Sequence, residues 1–383
     1  MKILLTTPDA LLDNQRKQFF PRLLQVLNEF NKSEQTLIIV VSRSGKGLDK
    51  IPKEFNPIHL KNELRGSPKL IEYLKKQFDV DTKDFIVLAA KDKDVQQAAN
   101  SKLLLLRAKY AFENNPGELL YEKKYGIPIE SSIALGNFFK TFTDFNGEWY
   151  YQVEVSEKTK MYALTDANTF NKSQSEIDIN NFFKQCLKDG DATYRMPFMV
   201  YFLVSTYGIV KEFEKVDYWG IYPSSGTGPN MDLEYFKDKA RQSYKGISKE
   251  PIIIRHTPAV KRQGRPAAKR IEEACDLQLL TVRLNPYYEN KLKGKTVCII
   301  DDFTTYGTSC ETARNLLEKA GVAKLIFITL GKFGKEYHKY NYNIVGDPFG
   351  DFKASKLNHT TLTGTFNYKG NSEFIQTLGQ LMK

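Results

Sequence analysis

Buried strands and amphipathic helices alternate in the apolar pattern of the first third of the chain. Strands that are buried on both faces are predicted at residues 2–6, 37–41 and 85–89, which contain the uninterrupted apolar runs 3–5, 37–41 and 85–89. Apolar side chains at helical spacing predict helices at residues 14–30, 68–78 and 95–99. Fully apolar strands separated by helices are typical of a parallel sheet that helices cover on both faces.

The alternation stops near residue 115 and returns near residue 216. Between these points, residues 148–155 and 161–164 alternate like a hairpin and residues 177–210 have helical spacing. Further along, strands are predicted at 219–222, 252–254, 279–283, 296–300 and 324–329, and helices at 233–244, 266–275 and 309–320. We expect an α/β fold in which parallel-sheet domains at 1–115 and 216–383 flank a mixed α+β segment at 116–215.

Composition places the chain among ordinary soluble proteins. Of its 383 residues, 41% are hydrophobic, 26% charged and 13% aromatic, which excludes extensive disorder. The longest apolar run, 196–210, is interrupted by Pro197 and is too short to span a bilayer of about 30 Å. Neither an export signal nor a paired-cysteine motif is recognisable, so we expect a cytoplasmic protein with reduced cysteines, no membrane association and no structural zinc.

The formal net charge of +11 favours polyanionic partners. Nucleic acids, nucleotides and phosphorylated sugars all meet this condition, so the sign of the charge does not choose among them. A generally basic and lysine-rich proteome would produce the same excess.

Residues 296–320, TVCIIDDFTTYGTSCETARNLLEKA, combine a strand, two acids, a hydroxyl-rich turn and a helix. The strand ends in Asp301 and Asp302, and the turn consists of Thr305, Tyr306, Gly307, Thr308 and Ser309. A turn rich in N–H groups that leads into a helix binds phosphate well. Adjacent carboxylates accept hydrogen bonds from sugar hydroxyls or hold Mg²⁺ through waters. The combination suits a ribose 5-phosphate.

The segment VCIIDDFTTYGTS resembles the phosphoribosyl pyrophosphate (PRPP) signature of type I phosphoribosyltransferases. That signature has four apolar residues, two acids and then x-x-T-x-G-x-S/T; Tyr306, in place of the usual Thr or Ser, is the main departure. The resemblance implies that Asp301 and Asp302 contact the ribose hydroxyls and, indirectly, the Mg²⁺ that accompanies PRPP. It also implies that residues 305–309 wrap the 5-phosphate.

Two further segments fall where the same fold requires them. Residues 219–228, WGIYPSSGTG, match the family's pyrophosphate loop through Ser224, Ser225, Gly226 and Thr227. Residues 255–270, RHTPAVKRQGRPAAKR, resemble the long mobile loop of ComF-like phosphoribosyltransferases, with Arg255, Lys261, Arg262 and Arg265 as its cations. Such a loop would stabilise the charge on a departing pyrophosphate. The alternatives for 255–270 are a solvated basic surface and a nucleic-acid-binding patch.

The N-terminal domain resembles a haloacid dehalogenase (HAD) phosphatase that has lost its catalytic groups. Thr7 stands where the family has its nucleophilic Asp, and Ala90 replaces an acid of the metal site. The positions that match the family's motifs are Asp9, Ser42, Lys69 and Asp94. A threonine does not form the aspartyl phosphate of this mechanism, so we expect a HAD-like domain without phosphatase activity.

Other residues are expected to be structural. His59, His338 and His359 are predicted to be isolated surface histidines. The cysteines at 275, 298 and 310 are predicted to be small core residues. The aromatic residues between 138 and 151 are expected to form a core, with base stacking as the alternative.

We therefore predict a Mg²⁺- and PRPP-dependent phosphoribosyltransferase, with residues 116–215 as a linking or hood segment. It would transfer ribose 5-phosphate to a nucleobase-like acceptor and release pyrophosphate. The alternative is a non-catalytic regulatory protein that uses the same fold to sense a nucleotide or to bind nucleic acid. The sequence leaves the acceptor, the pathway and the oligomeric state open.

Overall fold

The structure, a computed structural model, describes residues 1–13, 17–64, 68–112, 125–145, 147, 149–226, 228, 230–259 and 264–381, with the backbone alone at 62, 188–189, 377 and 379–381. The chain forms two compact units. The first comprises Met1–Gly147, Thr206–Val210 and Gln242–Lys245, and the second comprises Glu148–Ser205, Lys211–Arg241 and Gly246–Lys383. These units differ from the three predicted segments, because residues 116–215 are divided between them.

A parallel sheet is the framework of the first unit. Its strands in the described residues are β1 (Lys2–Thr6), β2 (Thr36–Ser42), β3 (Pro57–His59), β4 (Phe85–Ala89), β5 (Leu104–Ala108) and β6 (Ile127–Ile129). They lie in the order β3-β2-β1-β4-β5-β6, and all the pairs are parallel, as predicted for this domain. The chain order reverses between β1 and β4, and ligands of open α/β sheets bind outside the carboxyl ends of strands at such a point.

The main helices of the first unit include those predicted at 68–78 and 95–99, but not every predicted boundary is confirmed. They are α1 (Leu23–Asn31), α2 (Pro68–Phe78), α3 (Asp92–Ser101) and α4 (Ser132–Phe142), with short turns at Pro8–Leu11 and Lys109–Phe112. The helix predicted over 14–30 is wrong for residues 17–22, and residues 14–16 lie outside the described part. Gln18–Phe19 pairs with Leu12–Asp13, and Pro21 disfavours helix in the residue before it.

The second unit contains a mixed sheet, which joins the hairpin predicted at 148–155 and 161–164 to parallel strands predicted further along the chain. The strands of the unit are β7 (Tyr151–Ser156), β8 (Thr159–Asp166), β9 (Tyr218–Ile221), β10 (Ile253–Arg255), β11 (Val282–Leu284), β12 (Thr296–Thr304), β13 (Lys324–Lys332), β14 (Glu336–Gly346), β15 (Phe352–Thr363) and β16 (Thr365–Phe366). The sheet order is β9-β12-β13-β8-β7-β16. The first four strands are parallel, whereas β7 and β16 run antiparallel to their neighbours. Only two residues separate β7 from β8, and so short a connection joins antiparallel strands.

The remaining strands of this unit form two-stranded antiparallel sheets, β10–β11 and β14–β15. Helices beyond residue 147 are α5 (Gln174–Lys184), α6 (Arg195–Gly208), α7 (Met231–Tyr244), α8 (Ala267–Glu273), α9 (Thr308–Lys319) and α10 (Tyr368–Leu381), with shorter turns at Val210–Phe213 and Asp276–Leu279. The helical spacing at 177–210 is confirmed over most of this range, but as separate helices, because the chain leaves the helical conformation at Gly190, which has a φ of +72°. In the described ranges, none of the helices is both long and apolar enough to cross a membrane.

Candidate functional site

The predicted phosphate loop, residues 305–309, spans the connection between β12 and α9 and the first two residues of α9. Together with the preceding Thr304, we call this segment the phosphate loop. Strand β12 runs to Thr304, four residues further than predicted, and α9 begins at Thr308. Gly307 caps the helix with a φ of +83°, a conformation that side-chain-bearing residues rarely adopt. A Cβ atom at this position would lie 2.3 Å from the ring of Tyr337. Glycine is therefore required here for both backbone and packing reasons.

The carbonyl oxygens of residues 304 to 307 all accept hydrogen bonds from the protein. Their donors, in that order, are the N–H of Phe333 (2.8 Å), the ammonium of Lys332 (2.9 Å), the N–H of His338 (3.0 Å) and the N–H of Glu311 (2.9 Å). In a trans peptide unit, the carbonyl and the following N–H point in opposite directions. The N–H groups of residues 305 to 308 therefore point away from these donors, although that of Gly307 already donates to the Thr304 hydroxyl at 3.0 Å.

The predicted carboxylate pair adjoins this loop. Asp301 is buried, and its carboxylate accepts hydrogen bonds from the N–H of Asp302 at 2.9 Å and from the hydroxyl of Ser309. Asp302 accepts from the N–H of Phe303 at 2.6 Å. Burial and, secondly, the neighbouring Asp302 raise the pKa of Asp301 well above its ordinary value. Ser309 thus joins the phosphate loop to the carboxylate pair.

The predicted pyrophosphate loop leaves the sheet beside the carboxylate pair. Strand β9 pairs with β12 so that Ile221 lies opposite Ile300, and the N–H of Tyr222 donates to the carbonyl of Ile300 at 2.8 Å. The loop continues through Ser224, Ser225 and Gly226, whereas Thr227 lies outside the described residues. Both loops therefore begin at the carboxyl ends of adjacent parallel strands, where ligands of open α/β sheets bind.

Arg255 binds the backbone carbonyls of the pyrophosphate loop. Its buried guanidinium donates to the backbone carbonyls of Pro223 and Ser224, and its other acceptors are the side chains of Gln278 and Thr281. The N–H of Ala259 donates to the next carbonyl, that of Ser225, at 2.9 Å. Three consecutive carbonyls of this loop are thus occupied, and the N–H groups of residues 224 to 226 point to the opposite side.

The cations predicted for a mobile loop have different environments. Arg255 ends strand β10 and is 8% exposed, so it belongs to a folded element rather than to an open loop. Arg265 forms an ion pair with Glu273, with 2.6 Å between Nη1 and Oε1. Lys261 and Arg262 lie outside the described residues. The arginine that sequence reasoning assigned to closure over a ligand is therefore a support of the pyrophosphate loop.

Two residues near the phosphate loop were missed or misjudged in the sequence. His338 is 4% exposed, so its prediction as a surface histidine is wrong. Its ring meets that of Tyr306 edge-on, with 5.2 Å between centroids, and stacks on that of His359 at 5.7 Å. Lys332 is wholly buried and donates to the carbonyl of Thr305. The sequence signal that could have predicted its burial is its place at the end of the apolar run LIFITLGK.

Three of the HAD-like motif positions, Thr7, Asp9 and Asp94, lie close together at the carboxyl edge of the first sheet. Thr7 donates its hydroxyl to Asp94 at 3.1 Å, and Asp9 forms an ion pair with Lys91 at 3.0 Å. Burial raises the pKa of Asp94 to about 6; the hydrogen bond from Thr7 opposes the shift, and the charge of Asp9 adds to it. A narrow cavity there is lined by Thr7, Asp94 and Gln97, among other residues.

The other two motif residues lie on β2 and α2. Ser42 ends β2 and donates its hydroxyl to the carbonyl of Lys46 at 3.4 Å. Lys69 lies in the first turn of α2 with an exposed side chain. Thr7, Asp9 and Asp94 therefore form an interacting group, through the Thr7 hydrogen bond and the charge of Asp9 near Asp94.

Comparison with known proteins identifies no family for this chain. None of the protein-family models matches the chain, and no curated protein matches it. The geometry of the two sites is therefore the basis for assigning a function.

Proposed function

We propose that the second unit binds PRPP and transfers its ribose 5-phosphate to a nitrogen acceptor, with release of pyrophosphate. The observation that carries this proposal is the shared construction of the two loops at one sheet edge. In each loop, consecutive carbonyls are occupied by donors of the protein, at residues 304–307 and 223–225. Their N–H groups consequently point to the other side, where they suit two separate anionic groups.

The phosphate loop is assigned to the 5-phosphate. The N–H groups of Tyr306 and Thr308 point away from the supporting donors, and helix α9 adds the partial positive charge of its N-terminus. The hydroxyl of Thr305 belongs to the same turn, whereas the hydroxyl of Ser309 already bonds to Asp301. On this assignment, most of the phosphate contacts come from the backbone.

The carboxylate pair is assigned to the ribose hydroxyls. A charged acceptor forms a hydrogen bond about twice as strong as that of a neutral one, so Asp301 and Asp302 are suited to hold the sugar. Their oxygen donor set also fits Mg²⁺, because burial and mutual repulsion raise the pKa of Asp301 and a nearby cation relieves both effects. Bound with the substrate, Mg²⁺ would neutralise charge on the pyrophosphate group.

The pyrophosphate loop is assigned to the leaving group. During transfer, the C1′–O bond breaks, its electron pair leaves with pyrophosphate, and the acceptor nitrogen bonds to C1′ and loses a proton. N–H groups fixed before the reaction stabilise the charge that develops on the departing oxygen. Arg255 contributes indirectly, because it holds the carbonyls of Pro223 and Ser224 on the far side of the loop.

Calorimetry of the full chain tests this proposal. We expect micromolar, Mg²⁺-dependent binding of PRPP and weaker binding of ribose 5-phosphate and of pyrophosphate separately. A panel of nucleobases with PRPP should then identify an acceptor through release of pyrophosphate. Binding of a polynucleotide that falls steeply with salt, without any PRPP signal, would instead support the regulatory alternative.

A further inference from the structure

Lys332 is the most unusual charged residue near the phosphate loop. It ends β13, it is 0% exposed, and its ammonium lies near four backbone carbonyl oxygens. These belong to Thr305 (2.9 Å), Phe333 (3.2 Å), Gly334 (3.2 Å) and Glu336 (2.9 Å). The ring of Tyr151 covers the ammonium, with Nζ 4.9 Å from the ring centroid.

An apolar side chain of similar length would fill this space without the cost of removing an ammonium from water. That cost is evident in the pKa of Lys332, which burial lowers to about 8 against the opposing charges of Glu336 and Asp166. The four carbonyl contacts compensate for part of it. A buried cation in this place therefore needs a reason beyond the filling of space.

The contact with Thr305 supplies that reason. Four carbonyls of the phosphate loop precede helix α9, those of residues 304 to 307. Among these four, the carbonyls of residues 304, 306 and 307 are bonded by backbone N–H groups, which almost any sequence provides. The carbonyl of Thr305 is the one bonded by a side chain. Because this carbonyl and the N–H of Tyr306 belong to the same trans peptide unit, fixing the first also fixes the direction of the second.

We propose that Lys332 is a positioning residue that directs the backbone N–H of Tyr306 toward the anion bound by the phosphate loop. This role rests on the proposed function, and in particular on the assignment of residues 304–309 to a phosphate group. It gains weight from the side chain of Tyr306, which replaces the small hydroxylated residue of the resembling family. At this position the backbone N–H is the remaining phosphate donor close to the chain.

The test compares two lysine-to-methionine changes at opposite ends of β13 in the full chain. Lys332→Met removes the bond to Thr305, whereas Lys324→Met removes an ion pair with Glu212, 2.7 Å long, and serves as the control. Calorimetry with ribose 5-phosphate measures binding at the phosphate loop, and a separate titration with pyrophosphate measures binding at the pyrophosphate loop. We expect Lys332→Met to weaken ribose 5-phosphate binding about tenfold, the effect of roughly one charge-assisted hydrogen bond, and to leave pyrophosphate binding unchanged. The control should change neither.

The outcomes separate this role from the function on which it rests. A folded Lys332→Met protein that binds ribose 5-phosphate as tightly as the parent overturns the role of Lys332 alone. A parent that binds no ribose 5-phosphate overturns the phosphate assignment and this role together. A weakening of both ligands to the same extent indicates general structural damage and also contradicts a specific role.

A second measurement does not require the Lys332→Met protein to fold, because it uses the parent protein. In the parent labelled with ¹⁵N-tyrosine, the amide signal of Tyr306 is identified by its absence from the spectrum of Tyr306→Phe. We expect this signal to move downfield as ribose 5-phosphate saturates the protein. If it stays in place at saturation, the Tyr306 N–H does not contact the phosphate and the proposal is wrong.

Discussion

His338 contacts Tyr306 in two ways. Its backbone N–H donates to the carbonyl of Tyr306 at 3.0 Å, and its ring meets the Tyr306 ring edge-on with 5.2 Å between centroids. The guanidinium of Arg270 also lies over the Tyr306 ring, 5.2 Å from its centroid. The β14–β15 hairpin therefore holds the backbone and the side chain of the residue at which the phosphate loop departs from the family pattern.

Replacing Tyr306 with Thr tests whether its ring interferes with the phosphate site. We expect binding of ribose 5-phosphate to stay the same or to improve by about one neutral hydrogen bond, ~1 kcal/mol. The free energy of unfolding should fall by about 1 kcal/mol because the contacts with Arg270 and His338 are lost. Calorimetry and urea unfolding measure the two effects, and Tyr306→Phe, which keeps the ring, should change neither. A gain in affinity far above tenfold would mean that the ring occupies the phosphate position.

Replacing Asp301 and Asp302 together with Asn tests the sugar site. Both residues lie near the end of β12, so we expect the fold to persist. PRPP affinity should fall strongly, because each charge-assisted hydrogen bond contributes about 1.5–3 kcal/mol. Calorimetry with PRPP and Mg²⁺ measures the loss, and the combined exposed changes Glu157→Gln and Glu289→Gln control for the removal of two negative charges. A double variant that binds PRPP as tightly as the parent contradicts the site assignment.

Arg255→Met tests the support beneath the pyrophosphate loop. The change leaves the carbonyls of Pro223 and Ser224 without their donor, so the free energy of unfolding should fall by about 2 kcal/mol. Pyrophosphate binding should weaken about tenfold, whereas ribose 5-phosphate binding should stay within twofold of the parent. Arg241→Met, which removes a partly exposed pair with Asp238, is the matched control. Equal weakening of both ligands would argue against a local effect.

The first unit should lack phosphatase activity. Thr7 occupies the nucleophile position and already donates its hydroxyl to Asp94. We expect no Mg²⁺-dependent hydrolysis of p-nitrophenyl phosphate by the full chain and no effect of Asp9→Asn. Turnover in the parent that disappears in Asp9→Asn would show that the first motif has been misaligned.

Asp94 makes the stability of the first unit depend on pH. Its pKa is raised from 3.8 to about 6, so folding favours the protonated form, and the stability that this provides is lost as the pH rises through about 6. Asp94→Asn removes the titration, so its free energy of unfolding should match the parent near pH 4 and exceed it by up to about 2 kcal/mol at pH 7. Urea unfolding at both pH values measures this, with the exposed Asp49→Asn as the control. A difference that does not grow with pH contradicts the raised pKa of Asp94.

Local patterns were sufficient for most single elements of this chain. The run 297–300 is apolar at every position, which predicts a buried strand. The two acids that follow it, then Gly307 and a helical repeat, predict the end of the strand and the start of a helix. The same holds for β1, β2 and β4, where uninterrupted apolar side chains predict strands in a covered parallel sheet. The prediction was weaker where a single residue interrupts a period, as Pro21 and Gly190 do.

The sequence by itself therefore determined the apolar strands, the alternating strands of the hairpin, the acid pair and the turn of the phosphate loop. Each of these features depends on residues that are close together in the chain. Only the tertiary structure decided that β8 pairs with β13, and that Arg255, Lys332 and His338 are buried. A charged or polar side chain is buried only where acceptors compensate for its lost hydration, and for Arg255 and His338 those partners include residues far away in the sequence. Even for Lys332, whose other acceptors lie nearby, the decisive bond is to Thr305, 27 positions earlier.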